Sequence, residues 1–274
     1  MEWIEDSAQR GDNVRKYGSN MVALNMMGYI MVIVVNGLAN ALPLNGITTG
    51  DISDLYPNYF TPAGFTFGIW GAIYLLLGLF ILRQTAYYFR YGSLPVEVEK
   101  IGFVFLFSCF MNMAWIVAWH FLYITLSFVI MLMLLASLII IYLRLRGGHL
   151  AGRRAASFLD FWTLHAPFRL YLGWITAATL ANLTVLLIHR GFDAMTTAGM
   201  VWASLMIFIA IFMGLLVLIA KRDVIYASVL LWTFVGILHK RINAPELGLP
   251  VVILAGVGIV MLLFGFLRVK ATSY

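Results

Sequence analysis

Apolar residues run along this chain in long stretches separated by short polar or charged breaks, and most of the stretches are of similar length. Each approaches the about 20 residues that an α-helix needs to cross the hydrocarbon of a bilayer. Taking the breaks as boundaries predicts eight spans, near residues 21–44, 64–84, 101–119, 122–143, 163–188, 199–220, 224–239 and 250–268, with the seventh the shortest. The third and fourth form one continuous apolar tract that exceeds a single bilayer thickness. It has to fold back, and Trp119-His120-Phe121 is the expected place, where the helix reaches a membrane interface.

Composition removes the soluble alternatives. Of 274 residues 62% are hydrophobic and 11% charged, and the mean hydropathy is +0.93, far from the mixed surface of a soluble domain. The expected fold class is an all-α integral membrane protein, a polytopic helical bundle of about eight transmembrane helices. The opening MEWIEDSAQRGDNVRKYGSN is mixed in charge and precedes a full-length span, unlike a cleaved signal peptide, so the first helix is expected to stay.

The formal charge of +6 raises the question of nucleic acid, but its distribution answers it. With eight spans one side holds Arg10, Arg15, Lys16, Arg83, Arg90, Lys100, Arg144, Arg146, Arg153, Arg154, Lys221, Arg222, Arg268 and Lys270, while the other holds Arg190, Lys240 and Arg241. By the positive-inside rule both termini are expected in the cytoplasm, residues 1–20 forming a cytoplasmic N-terminal segment of a multi-pass protein of the cytoplasmic membrane. Basicity here encodes orientation, and membrane lipid, with no nucleic acid, is the expected surrounding.

Candidate reaction chemistry is sparse. Cys109 is the only cysteine, and His120, His149, His165, His189 and His239 are scattered, none pairing at ligand spacing, so no metal site is expected. There is no Ser-His-Asp order, no glycine-rich phosphate loop and no pair of intramembrane carboxylates, which points away from an enzyme. His165 and Arg169, four residues apart, are candidates for an anionic group, although Arg169 is expected rather to snorkel. His120, at the predicted fold-back, is expected in an interfacial or capping role. The segment from Leu44 to Tyr59 is rich in turn formers, carries Asp51 and Asp54 but no Lys or Arg, and is long enough to act as a lid.

Rings and amides form the stronger pattern. Positions three, four or seven apart share a helix face. Phe67, Trp70 and Tyr74 therefore line one side of the second span, Ser108, Asn112, Trp115 and Trp119 a face of the third, and Tyr171, Trp174, Ala178 and Asn182 a face of the fifth. Packing and interfacial anchoring account for any one of these rings alone. Asn112 and Asn182, however, lie several residues inside their spans, where an amide facing lipid is costly and a partner is needed. A shared polar-aromatic pocket meets that need, and such pockets take flat apolar ligands with a few polar edges.

These residues resemble the tryptophan-rich sensory protein or translocator protein (TspO/MBR) family. Its second helix typically opens W-x-P-P-x-W-x-F-G-P-x-W-x-x-L-Y, to which Phe60-Thr-Pro-Ala-Gly-Phe-Thr-Phe-Gly-Ile-Trp-Gly-Ala-Ile-Tyr74 is similar, with Phe60 and Phe65 in place of the leading tryptophans, Ala63 in place of the second proline, and one residue fewer before Trp70. Asn112-Met-Ala-Trp115 is similar to the family's N-x-x-W, with Ser108 where a glutamine is common. Tyr171 to Asn182 is similar to its Y-x-x-W followed by an asparagine.

The resemblance implies a five-helix unit, here residues 21–190, whose aromatic pocket is capped by the loop after the first helix and binds tetrapyrroles such as porphyrin or haem. Phe60, Phe65, Phe67, Trp70, Tyr74, Asn112, Trp115, Trp119, Tyr171, Trp174 and Asn182 are the implied ligand-binding residues; the porphyrin enters as ligand, and no cofactor is required. Residues 191–274 form three additional transmembrane helices beyond the family's usual five. The stretch from Ala181 to Arg190 lacks the central tyrosine of the family's sterol-recognition pattern, so sterol is not expected. Gly214, Gly256 and Gly258 suit close helix packing in the bundle or in a homodimer. Two rival readings are a secondary transporter of another small molecule and a membrane assembly subunit without a ligand.

Overall fold

A computed structural model of the chain describes residues 2–42, 44–146 and 157–271, with side chains from residue 16 to residue 269. The side chains of Arg10, Arg15, His149, Arg153, Arg154 and Lys270 lie outside the described residues. Helices α1 (Glu2–Ala41), α2 (Thr49–Asp54), α3 (Ile69–Tyr91), α4 (Val96–Ile101), α5 (Val104–His120) and α6 (Ile124–Arg146) follow in order. After them come α7 (Phe158–Asp160), α8 (Ala166–His189), α9 (Thr197–Lys221), α10 (Val224–Ile242) and α11 (Leu249–Ala271). Short 3-10 turns occupy Leu44–Gly46 and Gly64–Gly68, and a π turn, Phe161–His165, joins α7 to α8. No strand occurs among the described residues.

Among the described residues seven helical segments are long and apolar enough to cross a membrane: Lys16–Ala41, Gly64–Tyr91, Ile124–Arg146, Phe158–His189, Thr197–Lys221, Val224–Ile242 and Leu249–Val269. The chain is a polytopic all-α membrane protein. The third expected span is the 17-residue apolar helix α5, about 25 Å long, and it, not the seventh, is the shortest. Gly102, at φ 55, ends α4 before α5 begins and trims that span. α10 gains length because His239, Lys240 and Arg241 lie in its last turn, where cations suit the negative end of the helix dipole. The fold-back follows His120: Leu122 turns left-handed (φ 57), and Tyr123 N–H donates to Ala118 O at 2.9 Å.

α8 is the core helix. In the apolar 18-residue stretch of Phe158–His189, 61% of the residues are buried, against 22% in that of Leu249–Val269, because α8 packs against α3, α6 and α10 at once. α1 lies on α3 and α5, α5 on α6, and α9 and α11 reach the core through α10. Outward residues such as Leu75, Leu82, Ile219 and Leu267 stay exposed, as helices whose outer faces meet lipid require. Of the three glycines, Gly214 faces Leu230 and Leu262 and Gly258 faces Ile211 and Phe234, so both serve internal packing, whereas Gly256 has open space beside it.

Two devices fasten α10 to α8. At Gly173 an added Cβ would lie 2.9 Å from Tyr226 O and from Val229 Cβ, so the absence of a side chain sets the helix separation. Beside it, buried Asp223 caps α10 through Tyr226 N–H (3.1 Å), accepts from Tyr142 OH (2.9 Å) and pairs with Arg169 Nε (3.5 Å). Arg169 is thus bound by a carboxylate and stacked over Phe161, a correction to the expectation that it snorkels. A buried acid at the head of α10 outcompetes the interface for its charge.

Candidate ligand-binding site

The segment before α3 is folded by its own side chains. Thr48 and Asp51 form a capping box: Thr48 Oγ1 accepts from Asp51 N–H (3.4 Å), and Asp51 Oδ2 accepts from Thr48 N–H (3.2 Å) and Thr48 Oγ1–H (2.7 Å). These bonds from Thr48 hold the Asp51 carboxyl below the usual carboxylate range. Asn58 Oδ1 accepts from Phe60 N–H (2.9 Å) and Thr61 N–H (2.7 Å), fixing the turn into Pro62.

The segment is then fastened across the end of the bundle. Trp119 Nε1 donates to Thr49 O (3.1 Å), Thr49 Oγ1 donates to Asn40 Oδ1 (3.0 Å), and Asn45 Nδ2 donates to His120 O (3.1 Å). On the far side Ala63 N–H donates to Gly236 O (3.1 Å), Trp232 Nε1 donates to Thr66 O (3.0 Å), and Lys240 pairs with Asp54 (2.6 Å). Tyr59 OH donates to Glu246 Oε2 (2.7 Å), and that bond, with burial, pushes the phenol pKa up.

Beneath this segment, residues 44–68 and termed the lid from here on, the three stripes meet in one ring cluster. Trp70 stacks with Tyr74 (5.4 Å between centroids, 22°) and with Trp115 (6.0 Å, 29°), and Trp115 stacks with Trp119 (5.9 Å, 20°). Tyr171 and Trp174 present edges to Trp70 at 5.7 and 6.2 Å, and Phe67 meets Trp174 edge-on at 5.7 Å. An amide chain holds the cluster at depth: Asn36 Nδ2 donates to Asn112 Oδ1 (2.7 Å), and Asn112 Nδ2 donates to Tyr171 OH (2.8 Å). Asn182 Oδ1 accepts from Ser127 OH at 3.3 Å. Both internal amides therefore have the partners that burial demands.

Two cavities adjoin the cluster. The first, about 30 Å³, is lined by Phe67, Trp70, Trp115, Trp119, Trp174 and Asn182, with Thr233 from α10 and Ser53 and Pro62 from the lid. Trp115 and Trp174 are 4% and 3% exposed, and their indole N–H groups have no acceptor among the described residues. The second cavity, 510 Å³, lies between α1 and the lid and is bounded by Asn36, Asn40, Asp51, Asp54 and Tyr74. Phe67 and Trp70 belong to both walls.

Seven of the sequence-selected rings are brought together, namely Phe67, Trp70, Tyr74, Trp115, Trp119, Tyr171 and Trp174. Asn112 stands behind them as a positioning residue. Phe60 is buried in the lid and Phe65 packs edge-on against Trp232 and His239, and neither lines these two cavities. His120 is buried with Nδ1 bonded to Ile116 O (2.8 Å) and lines neither cavity. Among the described residues no group of three His, Cys, Asp or Glu gathers to hold a metal ion. Sequence reasoning missed Asn36, although Tyr29 lies seven positions before it on α1, and Thr233, which sits between Trp232 and Phe234 in the seventh expected span, outside the five-helix unit.

Comparison with known proteins gives one match: the family described as TSPO-like protein fits residues 22–268, through the last three helices as well as the first five. No curated protein and no solved structure matches the chain.

Proposed function

The chain belongs to the TSPO-like protein family, and from that membership we propose that it binds a planar hydrophobic ligand, a tetrapyrrole first among them, within its ring cluster, for sensing or for passage across the membrane. The observation that carries this reading is the pair of buried indole N–H donors of Trp115 and Trp174, which have no acceptor among the described residues and stand on the wall of a ring-lined cavity. A buried donor without an acceptor costs about 1–3 kcal/mol, and a flat ligand with acceptors at its edge removes that cost while stacking on the rings. In this reading residues 21–190 are the ligand-binding unit, and both termini and the basic loops face the cytoplasm.

The cavity at about 30 Å³ is far below the roughly 300–1,000 Å³ of small-molecule sites, so the rings part when the ligand arrives. Phe67 and Trp70 separate it from the 510 Å³ space, and their rotation would merge the two.

Quenching of tryptophan fluorescence by protoporphyrin IX tests the reading. Saturable quenching is expected, weakened by Trp174→Phe and by Asn112→Ala, and unchanged by Trp162→Phe, whose ring is 40% exposed and outside the cluster. Quenching that is non-saturable and equal in all variants would mean partition into detergent and would remove the pocket.

A further inference from the structure

The last helices and the space beside α1 belong to one arrangement. On the α10 side the lid is held by backbone and charge: Ala63 to Gly236 O, Trp232 to Thr66 O, and Lys240 to Asp54. The approach there is so close that a Cβ on Gly236 would lie 2.1 Å from Thr66 Oγ1 and 3.0 Å from Pro62 Cβ. On the α1 side Asn40 alone reaches the lid backbone, with one bond from Thr49 N–H at 3.3 Å and one from its hydroxyl at 3.0 Å. Around those bonds the lid stands away and leaves the 510 Å³ cavity.

Two rings, Phe67 and Trp70, are all that the two cavities share. The geometry points to the 510 Å³ cavity as the access chamber of the ring cluster, with Phe67 and Trp70 as its gate and α10 as the fixed wall that keeps the lid from swinging open on the other side. This rests on the reading that the ring cluster takes the ligand. The chamber's polar lining is Asn36, Asn40, Thr48, Thr49, Asp51 and Asp54, with no Lys, Arg or His among its described lining residues. Asp54 is already paired with Lys240 at 2.6 Å, so an uncharged aromatic probe enters without breaking an ion pair or meeting a basic side chain.

Stopped-flow quenching of the full chain by protoporphyrin IX dimethyl ester, an uncharged probe, reads the route. Gly37 and Gly64 line the chamber, and a Cβ at either meets no atom within 4 Å, so Gly37→Phe and, independently, Gly64→Phe plug it from opposite walls without a clash at the backbone. Each is expected to slow association and dissociation together by about tenfold or more, leaving Kd nearly unchanged, whereas Lys240→Gln, which breaks the ion pair on the α10 side at a residue that lines neither cavity, is expected to leave the association rate within about twofold. Association at the unmodified rate in both plugged variants overturns the proposal, as does a large acceleration in Lys240→Gln, which would place access beside α10. Absence of saturable quenching in the unmodified chain refutes the ring-cluster reading itself and the chamber with it.

Discussion

Replacing Gly236 by alanine puts a methyl group where the lid already stands. The added Cβ would fall 2.1 Å from Thr66 Oγ1, 3.0 Å from Pro62 Cβ and 3.1 Å from Thr66 Cβ, against an ordinary contact of about 3.5–4.0 Å between carbons. The lid cannot retreat freely. Ala63 N–H holds Gly236 O at 3.1 Å and Trp232 Nε1 holds Thr66 O at 3.0 Å, so relief of about 1 Å stretches two hydrogen bonds. Overpacking of this kind costs about 1–3 kcal/mol, and the rigid surroundings place Gly236→Ala at the upper end.

Thr66 supplies the control. Its hydroxyl is buried and has no hydrogen-bond partner among the described residues, so Thr66→Ala removes an unsatisfied group and is expected to be close to neutral. In the double variant the 2.1 Å contact is gone, and the longer contacts with Pro62 Cβ (3.0 Å) and with Cβ of residue 66 (3.1 Å) remain. A double-mutant cycle should therefore return about 1–2 kcal/mol of favourable coupling. Denaturant unfolding of the purified chain in one detergent gives the four stabilities, and hydrogen exchange over residues 60–68 reports the lid. Gly236→Ala as stable as the unmodified chain, or undiminished damage in the double variant, would refute the claim that α10 and the lid are in direct backbone contact.

Two further outcomes follow from charge. Asp223→Asn leaves Arg169 without its carboxylate in a setting where Asp223 is 1% exposed and Arg169 19%, so a loss of about 3 kcal/mol is expected in the same unfolding assay; Asp160→Asn, whose pair with Arg83 is 32% and 23% exposed, should cost less than about 1 kcal/mol, and equal effects would contradict the burial argument. The Asp51 carboxyl is held below its usual range by Thr48, so its capping contribution is fully present above about pH 4 and is lost as pH falls through the lowered folded value; a carboxyl carbon titration by NMR with its midpoint at or above the ordinary aspartate value would refute the capping box.

The helices were legible because membrane spans announce themselves by length, and the ring cluster because a spacing of four keeps Trp70 and Tyr74 on one face of α3, with Phe67 joining them from the 3-10 turn just before it. That logic stops at Gly68. Phe60 and Phe65 precede the α-helix proper, where helical spacing no longer says which way a ring points, and Phe65 turns to Trp232 and His239. The part played by α10 was hidden for a different reason. Gly236 acts through what it lacks, Thr233 makes its own hydrogen bond to Val229 O (3.0 Å), and Asp223 meets Arg169 across 54 positions of chain. None of these leaves a periodic mark, and each depends on how close two helices come, which a single sequence does not display.

Binding in such a cluster exchanges one set of ring contacts for another. Trp70 already stacks on Tyr74 and Trp115, and Trp115 on Trp119, contacts of about 0.5–1.5 kcal/mol each. A planar ligand that slips between them gives up part of this stacking and regains it on its own faces, so ring area by itself adds little net affinity. The indole donors are different, since Trp115 and Trp174 have no acceptor among the described residues to surrender. A ligand acceptor placed against either one is nearly pure gain, about 1–3 kcal/mol where it ends an unsatisfied burial. On the proposed reading such a site would discriminate by where a ligand carries its acceptors more than by how large its ring system is, and the amide chain from Asn36 through Asn112 to Tyr171 would keep the two donors' helices in register for that choice.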